Sequence, residues 1–221
     1  MKHQLIFITT LLIFATTASG QQLKDTVVDI DNNVYHTVKI GTQTWMAENL
    51  AVTHYRNGDN IINVTDSAQW SRLKTGAYCN YNNDTNIAKK YGLLYNWYAV
   101  TDIRNIAPKG WHVPTDDEWE KLTDYLGGEN EAGYKLKEQD TNHWKSPNDS
   151  STNETGFTAL PGGYRYHNGS FGFIGVYGAY WGSNEYDFIE GWSLGMTYSD
   201  RTAIILSGTK TNGLTVRCIK D

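Results

Sequence analysis

The chain has 221 residues, with 19 Lys and Arg against 24 Asp and Glu, for a formal net charge of -5. That balance excludes the clustered basic surface of a nucleic-acid-binding protein, and the length suits one domain or at most two small ones. Eight Trp, 15 Tyr and 21 Gly point to large rings packed among loops and tight turns, with few long helices.

The first 20 residues read as a secretory signal peptide. Lys2 and His3 are followed by an apolar stretch over residues 5–15 and by the small residues Ala18, Ser19 and Gly20. The apolar stretch is shorter than the roughly 20 residues that span a bilayer, and no later segment is apolar enough, so no membrane span is expected. Loss of Lys2 with the leader takes the net charge to -6. The mature chain is expected outside the cytoplasm, secreted or held at the cell surface, with a tail over residues 21–27 and one domain over residues 28–221.

Residues 27–30 and 34–40 alternate like strands around the turn Asp31-Asn32-Asn33, and a third strand starts at Thr44-Trp45-Met46. Residues 56–86 are rich in Asn, Asp and Gly and read as loop. Asn96 is placed to cap a brief helix through Trp97, Ala99 and Val100. The clearest helix begins at Thr115: Thr115-Asp116-Asp117-Glu118 has the form of a capping box, and three acidic residues suit the positive end of the helix dipole. Trp119, Leu122 and Leu126 then form one apolar stripe, ended by Gly127-Gly128. A second short helix is expected over residues 132–137. Strands are expected at 157–160, 164–166, 178–183, 192–198, 203–206 and 214–219, with the first and last strands of the chain pairing. The fold class is α+β with an antiparallel sheet.

Cys79 and Cys218 are the two cysteines. An exported chain meets an oxidising compartment, so a disulfide between them is expected, against two buried free thiols. Two cysteines do not make a zinc site unaided. His112 would need a nucleophile and an orienting carboxylate to act as a base, and no such motif accompanies it. Asp116, Asp117, Glu118 and Glu120 would do glycosidase chemistry only as a pair held about 5 Å or about 6.5–9.5 Å apart, and helix capping accounts for three of them. Asn80, Asn82, Asn83 and Asp84, and more so Asn184, Glu185 and Asp187, are oxygen-rich loop segments that suit calcium, the one cofactor considered. Tyr164, Tyr166, His167, Phe171, Tyr180, Trp181 and Tyr186 are candidates for an aromatic carbohydrate platform, with Tyr164, Tyr166, Trp181, Asn184 and Glu185 as the expected ligand-binding set.

Six strings occur in order along the chain: Gly41-Thr42-Gln43-Thr44-Trp45-Met46-Ala47-Glu48-Asn49-Leu50; Tyr91-Gly92-Leu93-Leu94-Tyr95-Asn96-Trp97; residues 108–119; residues 156–165; Tyr180-Trp181-Gly182-Ser183-Asn184-Glu185; and Val216-Arg217-Cys218. Together they resemble the Fibrobacter succinogenes major paralogous domain family over essentially the whole mature chain. The resemblance implies an extracytoplasmic protein of Bacteroidetes- or Fibrobacter-type bacteria. It also implies a C-type-lectin-like fold, with long loops, related to the fold of formylglycine-generating enzymes. Family members often carry a cysteine where this chain has Ala107. The reactive cysteine pair of the formylglycine-generating enzymes has no counterpart beyond Cys218, and the Glu-Pro-Asn and Trp-Asn-Asp strings of sugar-binding lectins are missing. The function expected is a non-enzymatic binding module for a polysaccharide or a surface protein. The alternatives are a glycan-acting enzyme and a structural cell-surface protein without a small ligand.

Overall fold

The computed structural model describes residues 25–148 and 151–221; the expected leader and most of the tail that follows it lie outside these residues. The elements in chain order are β1 (Thr26–Val28), β2 (Val34–Ile40), β3 (Gln43–Met46), β4 (Ile62–Asn63), α1 (Ser67–Trp70), β5 (Ala77–Cys79), α2 (Thr85–Tyr91), β6 (Leu94–Tyr95), α3 (Trp97–Val100), β7 (Trp111–His112), α4 (Asp116–Tyr125), α5 (Glu129–Leu136), β8 (Gly162–Arg165), β9 (Phe171–Ile174), β10 (Tyr177–Glu185), β11 (Glu190–Thr197), β12 (Ile204–Thr209) and β13 (Ile219–Lys220). Strands are mostly antiparallel and helices few and short, as an α+β reading requires. No helix among the described residues is long and apolar enough to cross a membrane.

Local chemistry sets the first and clearest elements. Asn32 sits at φ 66° in the β1–β2 turn, and Asp29 Oδ1 accepts from the amides of Asp31 and Asn33, both at 2.9 Å. Asn tolerates the left-handed conformation that such a turn needs. The capping box of α4 is complete: Thr115 Oγ1 accepts from the Glu118 amide at 3.2 Å, and the Glu118 carboxylate accepts from the Thr115 amide at 2.8 Å. Asn96 caps α3 by accepting from the Ala99 amide at 3.0 Å, and the same oxygen takes the Ala77 amide.

The strands form a five-stranded sheet in the order β1-β2-β3-β13-β7, a three-stranded sheet β10-β11-β12, a three-stranded sheet β4-β5-β6 and the hairpin β8-β9. The last strand therefore pairs with β3 and β7, through Ile219 opposite Trp45 and His112, and not with the first strand as expected. The expected strand over 157–160 holds a single bridge, Ala159 to Lys137, because Thr158 has φ 56° and breaks the pleat. Of 214–219, Leu214 and Thr215 hold isolated bridges, 216–218 are irregular and only Ile219 is in a strand. Residues 56–86, expected as loop, hold β4, α1 and β5, with Asp66 capping α1 through the Gln69 amide at 2.7 Å.

The core is aromatic. Trp119 of α4 stacks on Trp45 of β3 with centroids 4.6 Å apart, and Phe157 meets both rings edge-on. Cys79 and Cys218 are free and buried, and they lie in different clusters, Cys79 beside Val64 and Trp70 and Cys218 beside Tyr35 and Met46. The expected disulfide is not formed. Burial raises both thiols, Cys79 to about 11, so neither is a ready thiolate nucleophile.

Buried cations replace regular hydrogen bonding where the backbone is irregular. Arg217 donates to Asn49 Oδ1 and to the Phe157 carbonyl, and its guanidinium lies 4.3 Å from the Phe157 ring centroid. Arg217→Leu leaves both oxygens without a donor and is expected to cost about 3 kcal/mol; the urea unfolding midpoint of the variant checks this, and an unchanged midpoint would refute the role.

The C-terminus is closed by His112. Its Nδ1 is 2.7 Å from Asp221 Oδ1, and its Nε2 is 2.9 and 3.0 Å from the Glu118 carboxylate oxygens. Only a doubly protonated ring donates from both nitrogens. Partial burial opposes the charge, but hydrogen bonds and charges from Asp221 and Glu118 raise the pKa above the ordinary value. A raised folded pKa stabilises fully below the unfolded value of about 6.5, and that stabilisation disappears as pH rises through the folded value. The stability deficit of His112→Gln, read from urea midpoints, is therefore expected to be larger near pH 6 than near pH 9; a deficit that does not change with pH would show that the ring is neutral.

Candidate functional site

The face of the β10-β11-β12 sheet opposite Leu194 and Met196 carries an open cleft of about 540 Å³. Its floor comes from β11, where Trp192-Ser193-Leu194-Gly195-Met196-Thr197 alternates large apolar with small or polar residues. Leu194 and Met196 enter the core beside Trp119, and Ser193 and Thr197 face the cleft. Gly195 has a packing reason: a Cβ there would lie 1.9 Å from the Tyr177 hydroxyl, so only glycine lets that phenol lie across the strand.

One wall is the β8–β9 hairpin. In β8, Arg165 points inward and is buried, donating to the carbonyls of Val64, Thr65 and Gly169 at 2.6, 3.0 and 3.0 Å. Its guanidinium sits between the rings of Trp70 and Phe171, at 4.5 and 4.8 Å. Strand alternation then turns its neighbours Tyr164 and Tyr166 outward. Tyr164 stacks on Phe173 at 5.4 Å and 19°, meets Tyr166 edge-on at 4.7 Å and meets Tyr177 at 6.0 Å. Burial first, and then the hydrogen bond and charge of Tyr166, raise the Tyr164 phenol well above its ordinary pKa, so it stays protonated at neutral pH.

The remaining lining is uncharged: Ser193, Thr197, Ser199 and Ser207, the Asn212 amide, and apolar groups including Leu206 and Leu214, with His167 at the rim. Asn212 Oδ1 is buried with no hydrogen-bond partner. A buried acceptor in that condition costs about 1–3 kcal/mol.

The structure brings together Tyr164, Tyr166 and His167, and it corrects several other expectations. Trp181 is 0 % exposed. Its indole N–H donates to the Tyr95 carbonyl at 2.7 Å, and its ring lies under Gly208, so it supports the cleft floor and offers no face to a ligand. Tyr180 is also buried, its hydroxyl engaged with the backbone of Leu160. Phe171 faces Arg165 and Tyr81 instead. Asn184, Glu185 and Asp187 lie at the exposed end of the β10–β11 hairpin and do not line the cleft.

A cation already serves that hairpin. Lys210 Nζ donates to the Glu185 carboxylate and, at 2.7 Å, to the Asp187 carbonyl, and Asp187 Oδ1 accepts from the amides of Ile189 and Glu190 at 2.7 and 2.8 Å. Glu185 and Asp187 of the set expected to hold calcium are thus engaged by an ammonium and by a turn. In the Asn80 segment, Asn82 and Asn83 take positive φ, and Asp84 caps α2 through the Asn86 amide at 2.8 Å. No group of three or more His, Cys, Asp or Glu that could hold a metal occurs among the described residues. His112 and Glu118 are engaged as described above, and Asp116 and Asp117 form the first turn of α4.

Sequence reasoning missed Phe173, Tyr177, Ser193, Thr197, Ser207 and Asn212. The small-polar alternation of β11 was the available signal for Ser193 and Thr197; for Asn212, beyond the end of β12, no local pattern marks it. No curated protein and no solved structure matches the chain. The family model described as the Fibrobacter succinogenes major domain matches residues 38–220, which include β8 to β12 and hence the whole cleft, and the chain belongs to that family.

Proposed function

We propose that the protein is a secreted or surface-associated, non-enzymatic binding module with a C-type-lectin-like fold, and that its ligand is a polysaccharide. The observation that carries this reading is the open aromatic cleft. Tyr164, Phe173, Tyr166 and Tyr177 supply flat apolar faces for the C–H faces of sugar rings, and hydroxyl and amide groups supply hydrogen-bond partners beside them. Sites of this size with few placed polar groups are the usual form of a small-ligand site. Export rests on the composition of residues 1–20, and the lectin-type assignment rests on the order of the sequence blocks.

A protein partner is the second reading, favoured by the β10–β11 tip, where Phe188 is 84 % exposed beside the exposed Tyr186 and Ile189. One experiment separates the two. The chain lacking its first 20 residues is run through gels containing soluble polysaccharides, alongside Tyr166→Ala and Phe188→Ser. Tyr166→Ala is expected to weaken retardation by about tenfold or more with an unchanged urea midpoint, and Phe188→Ser to leave it intact. Loss of retardation in Phe188→Ser alone would move the binding surface to the hairpin tip.

A further inference from the structure

A second groove, of about 720 Å³, shares no described lining residue with the aromatic cleft. One wall is the β4–β5 ladder. Asn63 pairs with Tyr78 across it, so the two side chains share a face. Asn80, two residues beyond Tyr78, falls on the same side, while Cys79 between them enters the core. The other wall is α2. Thr85, Ala88 and Lys89 stand at i, i+3 and i+4 and share one face of the helix, and Lys90 lines the groove beside them.

The donors of this groove are unused inside the chain. Asn80 is only 8 % exposed, yet its side-chain amide has no hydrogen-bond partner among the described residues and is open to the groove, not sealed from it. Buried side-chain amides are normally hydrogen-bonded, so one that faces a groove without a partner is a preformed contact for a ligand. The Asn63 amide, the Thr85 hydroxyl and the ammonium groups of Lys89 and Lys90 are exposed and equally unpaired among the described residues. All of them can donate, and the ammoniums can do nothing else. Burial, and then the Asp31 charge, raise the Tyr78 phenol above its ordinary pKa, so it keeps its proton at neutral pH. Among the described residues the one carboxylate in the lining is Glu48. It is taken up by His36, whose amide and Nδ1 each lie 2.8 Å from one of its oxygens. Asp31, behind the lining, accepts from the Thr53 amide and hydroxyl at 2.5 and 2.9 Å.

We infer that this groove is a second binding site, for an acidic saccharide. The α2 wall takes the carboxylate or sulfate, which gains charge-assisted hydrogen bonds from Lys89 and Lys90. The β4–β5 wall takes the sugar ring, with the Tyr78 ring as an apolar surface and the Asn63 and Asn80 amides as partners for hydroxyls. Two lysines make a local site and not the long basic track that a nucleic acid needs, and the net charge of -5 opposes such a polymer. The site stands apart from the reading of the aromatic cleft, because its groups differ both in residue and in charge.

The test is gel retardation of the chain lacking its first 20 residues on polygalacturonate, on a sulfated galactan and on neutral β-glucan, each at low and moderate salt. The expected result is retardation by at least one acidic chain that falls as salt rises. It is expected to weaken about tenfold or more in the double variant Lys89→Met with Lys90→Met, and about threefold to tenfold in Asn80→Ala, each at an unchanged urea midpoint. Tyr166→Ala in the cleft and Lys121→Met at an exposed position of α4 are expected to leave it unchanged. Retardation by neither acidic chain, or full retardation in the double lysine variant, overturns the inference. An equal loss in Lys121→Met overturns it as a general charge effect, and a loss in Tyr166→Ala overturns it by placing the acidic chain in the cleft. Retardation on β-glucan that falls in the double lysine variant as well overturns the acidic specificity.

Discussion

The structure depends on how irregular backbone finds hydrogen-bond donors for its buried carbonyl groups. Regular strands and helices satisfy their own polar groups, but this chain runs long stretches as bends and isolated bridges, and each buried carbonyl in them needs a partner. Buried cations meet that need. Arg217 serves Phe157 and Asn49, Arg165 serves Val64, Thr65 and Gly169, and Lys137 serves Thr197 and Asp200. At the surface, Arg56 does the same for Ala107, Pro108 and Trp111. A guanidinium suits this work because its five donors are fixed in a plane and its faces stack on rings, as those of Arg165 do between Trp70 and Phe171.

The same constraint shapes the cleft. Arg165 is held from one side of β8, and the two-residue period of the strand presents Tyr164 and Tyr166 on the other. Lys137 gathers the carbonyls at the end of β11 and in the turn after it, which places Asp200 where it accepts from Thr197. The groups that fix the loops therefore also fix the rings that line the cleft. A site supported in this way is built before any ligand arrives, and preorganisation of that kind lowers the entropic cost of binding.

The rings divide between two tasks. Trp45, Trp119 and Trp181 fill the interior, the first two as a stacked pair and the third beneath the cleft. The tyrosines at the cleft are only half-buried, because β8–β9 and β10 leave between them the gap that Tyr164, Tyr166 and Tyr177 line. Met196 and Thr197 show how sharp that division is: adjacent residues on one strand, the first in the core and the second facing the cleft.

The sequence by itself determined the elements whose hydrogen bonds close within a few residues: the Thr115–Glu118 capping box, the Asn96 cap, the β1–β2 turn at Asn32 and the alternation of β10 to β12. Its ordered motif blocks also determined the family. Only the tertiary structure decided that Trp181 is buried and Tyr166 is not, that Cys79 and Cys218 sit in separate clusters, and that β13 pairs with β3. His112 meets Asp221 across 109 positions, and Arg165 meets Val64 across 101. The reason is physical: turns, caps and strand alternation are set by short-range sterics and local hydrogen bonds, whereas the exposure of a ring and the partner of a buried charge depend on chain segments that come together only when the whole domain packs.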